Sequence, residues 1–215
     1  SFCLSYGQVD KELMPQDSNC QNWIKVLSKE KYDLYSDRET YEPVVGDLIF
    51  FNWDEDAASD HVGIVVGVIE ETAETKEQIR TIEGNAGKDE VLYRTYDCDN
   101  EQIMGYGKLP KNPDEVQLES NILNYQDEEV FEEQSSIVYE DTVEVPATSS
   151  LYINDAYRPE GIQLTGSWAS DVAAIAASQI NYNESNGISK IDQWAGGDGT
   201  GAWNVNFVNY CLYYA

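Results

Sequence analysis

Val44 to Asn85 reads V-V-G-D-L-I-F-F-N-W-D-E-D-A-A-S-D-H-V-G-I-V-V-G-V, then a charged turn, then I-R-T-I-E-G-N. Two apolar runs rich in β-branched and aromatic residues, Leu48 to Phe51 and Val62 to Val68, flank an acidic loop, and a third run ends at Ile82. Such runs bounded by turn residues predict three strands of one sheet. The only histidine of the chain, His61, begins the second strand, and Glu83 and Asn85 end the third. If the strands pair in sequence, an imidazole, a carboxylate and an amide converge at one end of the sheet. That set holds a base, a group to orient it and a polar helper, and lacks only a nucleophile.

On either side of this stretch the chain has further signals. Asp17-Ser18-Asn19 offers N-caps for a helix through Trp23, Ile24, Val26 and Leu27, and Ser1 to Gly7 reads as a helix end stopped by glycine. Tyr32 to Tyr41 is polar and reads as irregular. Beyond Asn85, Val91 to Tyr96 and Ile103 to Tyr106 are further strands, closed by Gly107 and Pro110. Residues 1–110 thus predict an α+β domain, with helices ahead of an antiparallel sheet of about five or six strands. From Asn112 to Val145 there are eleven acids and no Lys or Arg, so 111–164 reads as an exposed acidic linker. Helical period resumes over Ser167 to Ile180, capped by Ser170 or Asp171, and a glycine-rich turn leads to A-W-N-V-N-F-V-N-Y-C-L-Y-Y-A. The last seven residues, N-Y-C-L-Y-Y-A, echo the first seven, S-F-C-L-S-Y-G, which suggests a repeated unit cut twice at one point.

Composition narrows the classes of function. With 40 acids against 13 bases in 215 residues the net charge is -27, which repels nucleic acid and anionic lipid. No apolar run nears the roughly 20 residues of a membrane span. The opening on Ser1 suggests a piece of something longer. Four scattered cysteines, Cys3, Cys20, Cys98 and Cys211, read as buried thiols, with a Cys3 to Cys20 bridge as the alternative in an exported protein. In the acidic loop, Asn52, Asp54, Asp56 and Asp60 offer oxygens to a calcium ion, although the glycine and distal glutamate of an EF-hand are missing; a solvated turn is the commoner reading. Trp53 and the tyrosines suit a groove for glycan or peptide, and equally a core.

Four motifs, G-D-L-I-F-F (Gly46 to Phe51), D-H-V-G-I-V (Asp60 to Val65), T-I-E-G-N (Thr81 to Asn85) and I-M-G-Y-G (Ile103 to Gly107), together resemble the CHAP domain, the cysteine- and histidine-dependent amidohydrolase/peptidase family of papain-like cell-wall hydrolases. The resemblance implies that His61 is the catalytic base, Glu83 the acid orienting it and Asn85 the polar residue beside them. It implies a nucleophilic cysteine after a tryptophan, seven residues ahead of a second cysteine. Cys3 matches that second cysteine, which places the nucleophile about five residues before Ser1. Residues 165–215 resemble the beginning of a second such unit, in which Trp203 holds the tryptophan, Cys211 the second cysteine and Asn204 the nucleophile position. An amide forms no thiolate, so that unit is expected to be degenerate.

Two functions follow as expectations. One is an exported bacterial peptidoglycan hydrolase, in the cell envelope or outside it, cleaving amides of the stem peptide or cross-bridge, of which this chain lacks the nucleophile. The other is a non-catalytic CHAP-like module for recognition of the wall or of another surface. No cofactor is needed by either, and the oligomeric state is left open. Because 165–215 offers helices that 1–110 lacks, the two ends are further expected to dock, with Asn204 near His61.

Overall fold

The computed structural model describes residues 19–30, 33–54, 56–73, 76–108, 157–184 and 187–215. Ser1 to Gly7, the cap candidates Asp17 and Ser18, and linker residues 111–156 lie outside them. Six strands form one antiparallel sheet: β1 (Tyr35–Asp37), β2 (Leu48–Phe51), β3 (His61–Ile69), β4 (Gln78–Ala86), β5 (Glu90–Asp97) and β6 (Ile103–Gly107). Their spatial order is β1-β6-β2-β3-β4-β5, so β2, β3, β4 and β5 pair in sequence while β6 returns to the far side of β2. Among the described residues four α-helices complete the α+β fold: α1 (Cys20–Leu27), α2 (Trp168–Ala177), α3 (Lys190–Trp194) and α4 (Asn204–Tyr214). No helix among the described residues is long and apolar enough to cross a membrane.

Alternation along the strands divides the core in two. Leu48, Phe50, Val62, Ile64, Ile82 and Val91 face the helices and join one large buried cluster. Ile49, Phe51, Val65, Ile79, Ile103 and Tyr106 form a smaller cluster on the opposite face. α4 lies against β3, β4, α2 and α3 and buries Val205, Phe207, Val208, Tyr210, Cys211 and Leu212, nearly its whole circumference. A helix apolar on all sides is a central helix, not a surface one. α1 starts at Asn19, whose side chain accepts from the Asn22 amide at 3.2 Å, and it buries Trp23, Ile24 and Leu27.

Glycines mark where the two ends of the chain interlock. At Gly84 a β-carbon would collide with the Phe207 side chain of α4. At Gly46, held at φ +89°, a β-carbon would come within 2.6 Å of Ala169 on α2. The helices from the end of the sequence therefore cover the sheet from its beginning.

Three local expectations are corrected. Tyr32 to Tyr41 is not wholly irregular: Tyr35–Asp37 pairs antiparallel with β6, followed by a 3-10 turn at Arg38–Thr40. The edge strand is three residues long and only Tyr35 of it packs on the core, too little for an alternating pattern, while its pairing rests on backbone hydrogen bonds to β6. α2 begins after Ser167, ahead of Ser170 and Asp171; the Asp171 carboxylate reaches back instead to the amides of Thr165 and Gly166, at 2.7 and 3.0 Å. The end of the supposed linker is packed: Tyr157 and Ile162 lie against the main core, and the Tyr210 hydroxyl donates to the Tyr157 carbonyl at 2.5 Å.

Candidate active site

His61 opens β3 directly opposite Phe51 of β2. Its approach is pinned by Ser59, whose hydroxyl donates to the carbonyls of Phe51 and His61 and whose amide donates to the Gln21 side chain of α1. The ring lies against Phe51 and Trp53, at 6.0 and 5.9 Å between centroids, and Trp53 stacks on Phe51 at 4.7 Å. Only 6 % of His61 is exposed.

Glu83, on β4 beside it, is 1 % exposed and places Oε2 3.0 Å from His61 Nε2. A buried carboxylate needs further partners. Thr81, two residues earlier on the same face, donates its hydroxyl to Glu83 Oε1 at 2.6 Å, and Arg94 Nε of β5 stands 3.8 Å from Oε2. Burial, with Glu83 as the next cause, pushes the Tyr96 phenol up from its ordinary value.

On the other side of the ring stands Asn204, the first residue of α4. Its Nδ2 lies 3.1 Å from His61 Nδ1, 3.2 Å from the Asp60 carbonyl and 3.6 Å from Cys20 Sγ. The Val205 amide donates to Asn204 Oδ1 at 2.8 Å, which fixes the orientation of the side-chain amide. Nδ2 can only donate, so Nδ1 of His61 accepts and its proton sits on Nε2, donated to Glu83. The imidazole is therefore neutral and of one tautomer, with its basic nitrogen aimed at the side chain that begins α4.

Cys20 does not supply the thiol that is missing there. Burial pushes it up to about 12, and a protonated, enclosed thiol does not attack a carbonyl. Among the described residues Cys20, Cys98 and Cys211 are free thiols, and Cys3, the other half of the expected bridge, lies outside them. Cys20 is inside the core, against Asn204.

Of the expected site residues, His61, Glu83 and Asn204 come together and Asn85 does not. Asn85 takes a left-handed φ of 58° where the β4–β5 pairing shifts register, and among the described residues it has no hydrogen bond to His61 or Glu83. A turn-forming role suits that backbone. In the acidic loop the oxygens serve the loop itself: Asp54 accepts from the Asp56 amide, Asp56 from the Ala58 amide, Asp60 from the Trp53 amide at 2.6 Å, and Asn52 donates to the Asp56 carbonyl. Among the described residues no three His, Cys, Asp or Glu side chains gather as a metal site.

Thr81 and Arg94 were overlooked in the sequence. For Thr81 the signal was present, since period two puts it on the face of Glu83. Arg94 becomes a neighbour only through the β4–β5 register, in which it pairs with Thr81.

Among curated proteins and among solved structures nothing matches the chain. The family model of the CHAP domain matches residues 2–85, the stretch that carries α1, His61 and Glu83.

Proposed function

We propose that this chain is a CHAP-type module directed at the peptide of bacterial peptidoglycan, outside the cell or in its envelope. On this reading it keeps the acid-base half of a cysteine amidohydrolase/peptidase site and carries an amide where the attacking thiol would stand. The CHAP domain is a hydrolase family of cell-wall enzymes. The observation that carries the reading is the 3.1 Å approach of Asn204 Nδ2 to His61 Nδ1.

The chemistry of such a site assigns each group a step. A thiol at the start of α4 would give its proton to His61 Nδ1 and attack the amide carbonyl as thiolate. The tetrahedral intermediate would expel the amine, which takes the proton back from His61. Water, deprotonated by His61, would then hydrolyse the thioester. Glu83 holds the ring and balances its charge when protonated. The Asn204 amide is too weak an acid to yield a proton to His61 and has no nucleophilic pair at its nitrogen, so on this reading the module binds the wall peptide without cutting it.

Asn204→Cys tests this directly, measured on purified peptidoglycan by sedimentation of bound protein and by release of new amino groups. The native chain should pellet with the wall and release nothing, Asn204→Cys should release amino groups, and Asn204→Cys/His61→Ala should not. Release by the native chain, or a silent Asn204→Cys that also fails to pellet, overturns the reading.

The matched residues also favour a second reading, because they include Phe2-Cys3-Leu4, the stretch that echoes Tyr210-Cys211-Leu212. On this reading a cysteine seven residues ahead of Cys3 would be the thiol that serves His61, and a version carrying it would be an amidase or endopeptidase. Hydrolysis by a version extended about ten residues upstream, abolished by His61→Ala, would establish it.

A further inference from the structure

The guanidinium of Arg94 is the feature of the site that its acid-base chemistry leaves unused. It stands on β5, the edge strand, with Nε buried and without a hydrogen-bond partner. Glu83 Oε2 lies 3.8 Å from Arg94 Nε and 3.0 Å from His61 Nε2, so the guanidinium is within about 7 Å of the imidazole. The Arg94 side chain is 40 % exposed although its Nε is enclosed, so part of it reaches solvent beside the His61–Glu83 pair. A cation in that position is conspicuous in a chain of net charge -27, with 40 acids to 13 bases. His61 is neutral in its contact with Asn204, so Arg94 supplies the positive charge beside the pair.

We infer that Arg94 recognises a free carboxylate on the peptide, next to the amide presented to His61. The substrate class is thus a peptide with an α-carboxylate flanking the target amide, in preference to the same peptide amidated there. The inference rests on the proposed function and narrows its ligand. A planar guanidinium offers paired donors that match a carboxylate, and charge-assisted bonds of this kind discriminate carboxylate from carboxamide. Glu83 opposes an incoming carboxylate, so acceptance of one depends on Arg94, and without Arg94 the carboxamide is favoured. Trp53, 39 % exposed and stacked on Phe51 beside His61, provides an apolar wall for the uncharged part of the peptide.

The experiment is a binding comparison by calorimetry, using two synthetic stem peptides, L-Ala-γ-D-Glu-L-Lys-D-Ala and its D-isoglutaminyl counterpart. The native chain should bind the carboxylate form about tenfold more tightly, with the preference shrinking as salt is raised. Arg94→Gln should bind the carboxamide form as the native chain does and disfavour the carboxylate form, reversing the order. Arg94→Lys should retain part of the preference. A merely structural Arg94 would weaken both peptides alike, so equal affinities for the two in the native chain, or a parallel loss in Arg94→Gln, would overturn the inference and leave the proposed function standing. Binding of neither peptide by a native chain that also ignores peptidoglycan would overturn both.

Discussion

An amide at the start of α4 holds His61 in a fixed state where a thiol would exchange a proton with it. Asn204 Nδ2 has two hydrogens and three acceptors within reach, His61 Nδ1, the Asp60 carbonyl and Cys20 Sγ, so its hydrogens are fully engaged. The proton on His61 Nε2 is fixed from the other side by Glu83, itself fixed by Thr81. Since His61 is the only histidine of the chain, nitrogen NMR reads this state without assignment. We expect the neutral imidazole to show Nε2 protonated and Nδ1 as an acceptor, and Asn204→Ala to remove the donor at Nδ1; a neutral ring protonated at Nδ1 in the native chain would contradict the geometry. Thr81→Val should cost about 1–3 kcal/mol in urea unfolding, because it leaves one oxygen of a buried carboxylate without its hydroxyl donor.

Between elements, α4 is placed by close packing. Phe207 sits on the backbone of Gly84, one residue from Glu83, so the helix that carries Asn204 and the strand that carries Glu83 touch where no side chain intervenes. A polar clamp holds the approach to the helix: Asp192 of α3 accepts from the Gly199 amide at 2.7 Å and from the Asn206 side chain at 2.8 Å. Gly84→Ala should therefore lower stability by about 1–3 kcal/mol through overpacking. Applied to Asn204→Cys, it should also reduce hydrolysis more than peptide binding, since it displaces the attacking atom while leaving Arg94 and Trp53 in place. A Gly84→Ala variant with native stability and unchanged turnover would show that Phe207 yields easily.

For the whole molecule, the enclosed core sets the behaviour at high pH. Burial pushes Cys20 up to about 12, and burial with Glu77 pushes Cys98 up to about 12, from an ordinary 9.0. Burial raises Tyr35 to about 12 and carries Tyr96, Tyr106 and Tyr210 higher, all from 10.0. These groups hold their protons more tightly in the folded chain than in the unfolded one. Their contribution to stability is complete below about pH 9 and is lost as pH rises toward about 12. Urea midpoints should fall steadily across that window, and a flat profile would mean that the thiols and phenols are not enclosed. Much of this fold was legible beforehand. The strands carrying His61 and Glu83 announce themselves by alternating apolar residues and turn chemistry, which are local properties of the chain, and the repeat of an aromatic-Cys-Leu pattern at both ends hinted that they are related. Asn204 could be named as a position, since it follows Trp203 and precedes Cys211 at fixed spacing. What spacing could not supply is anything settled between segments far apart. The edge strand Tyr35–Asp37 exists only because β6 offers it hydrogen bonds, Arg94 meets Glu83 only through a register, and Asn85 turns away because its backbone follows a bulge. The sheet, the lone imidazole and its carboxylate are written locally, in periodicity and residue chemistry, so the order of residues sufficed to find them. That Asn204 stands against His61 is settled only in the folded molecule, because the contact spans 143 positions of chain and depends on how α4 packs against Gly84.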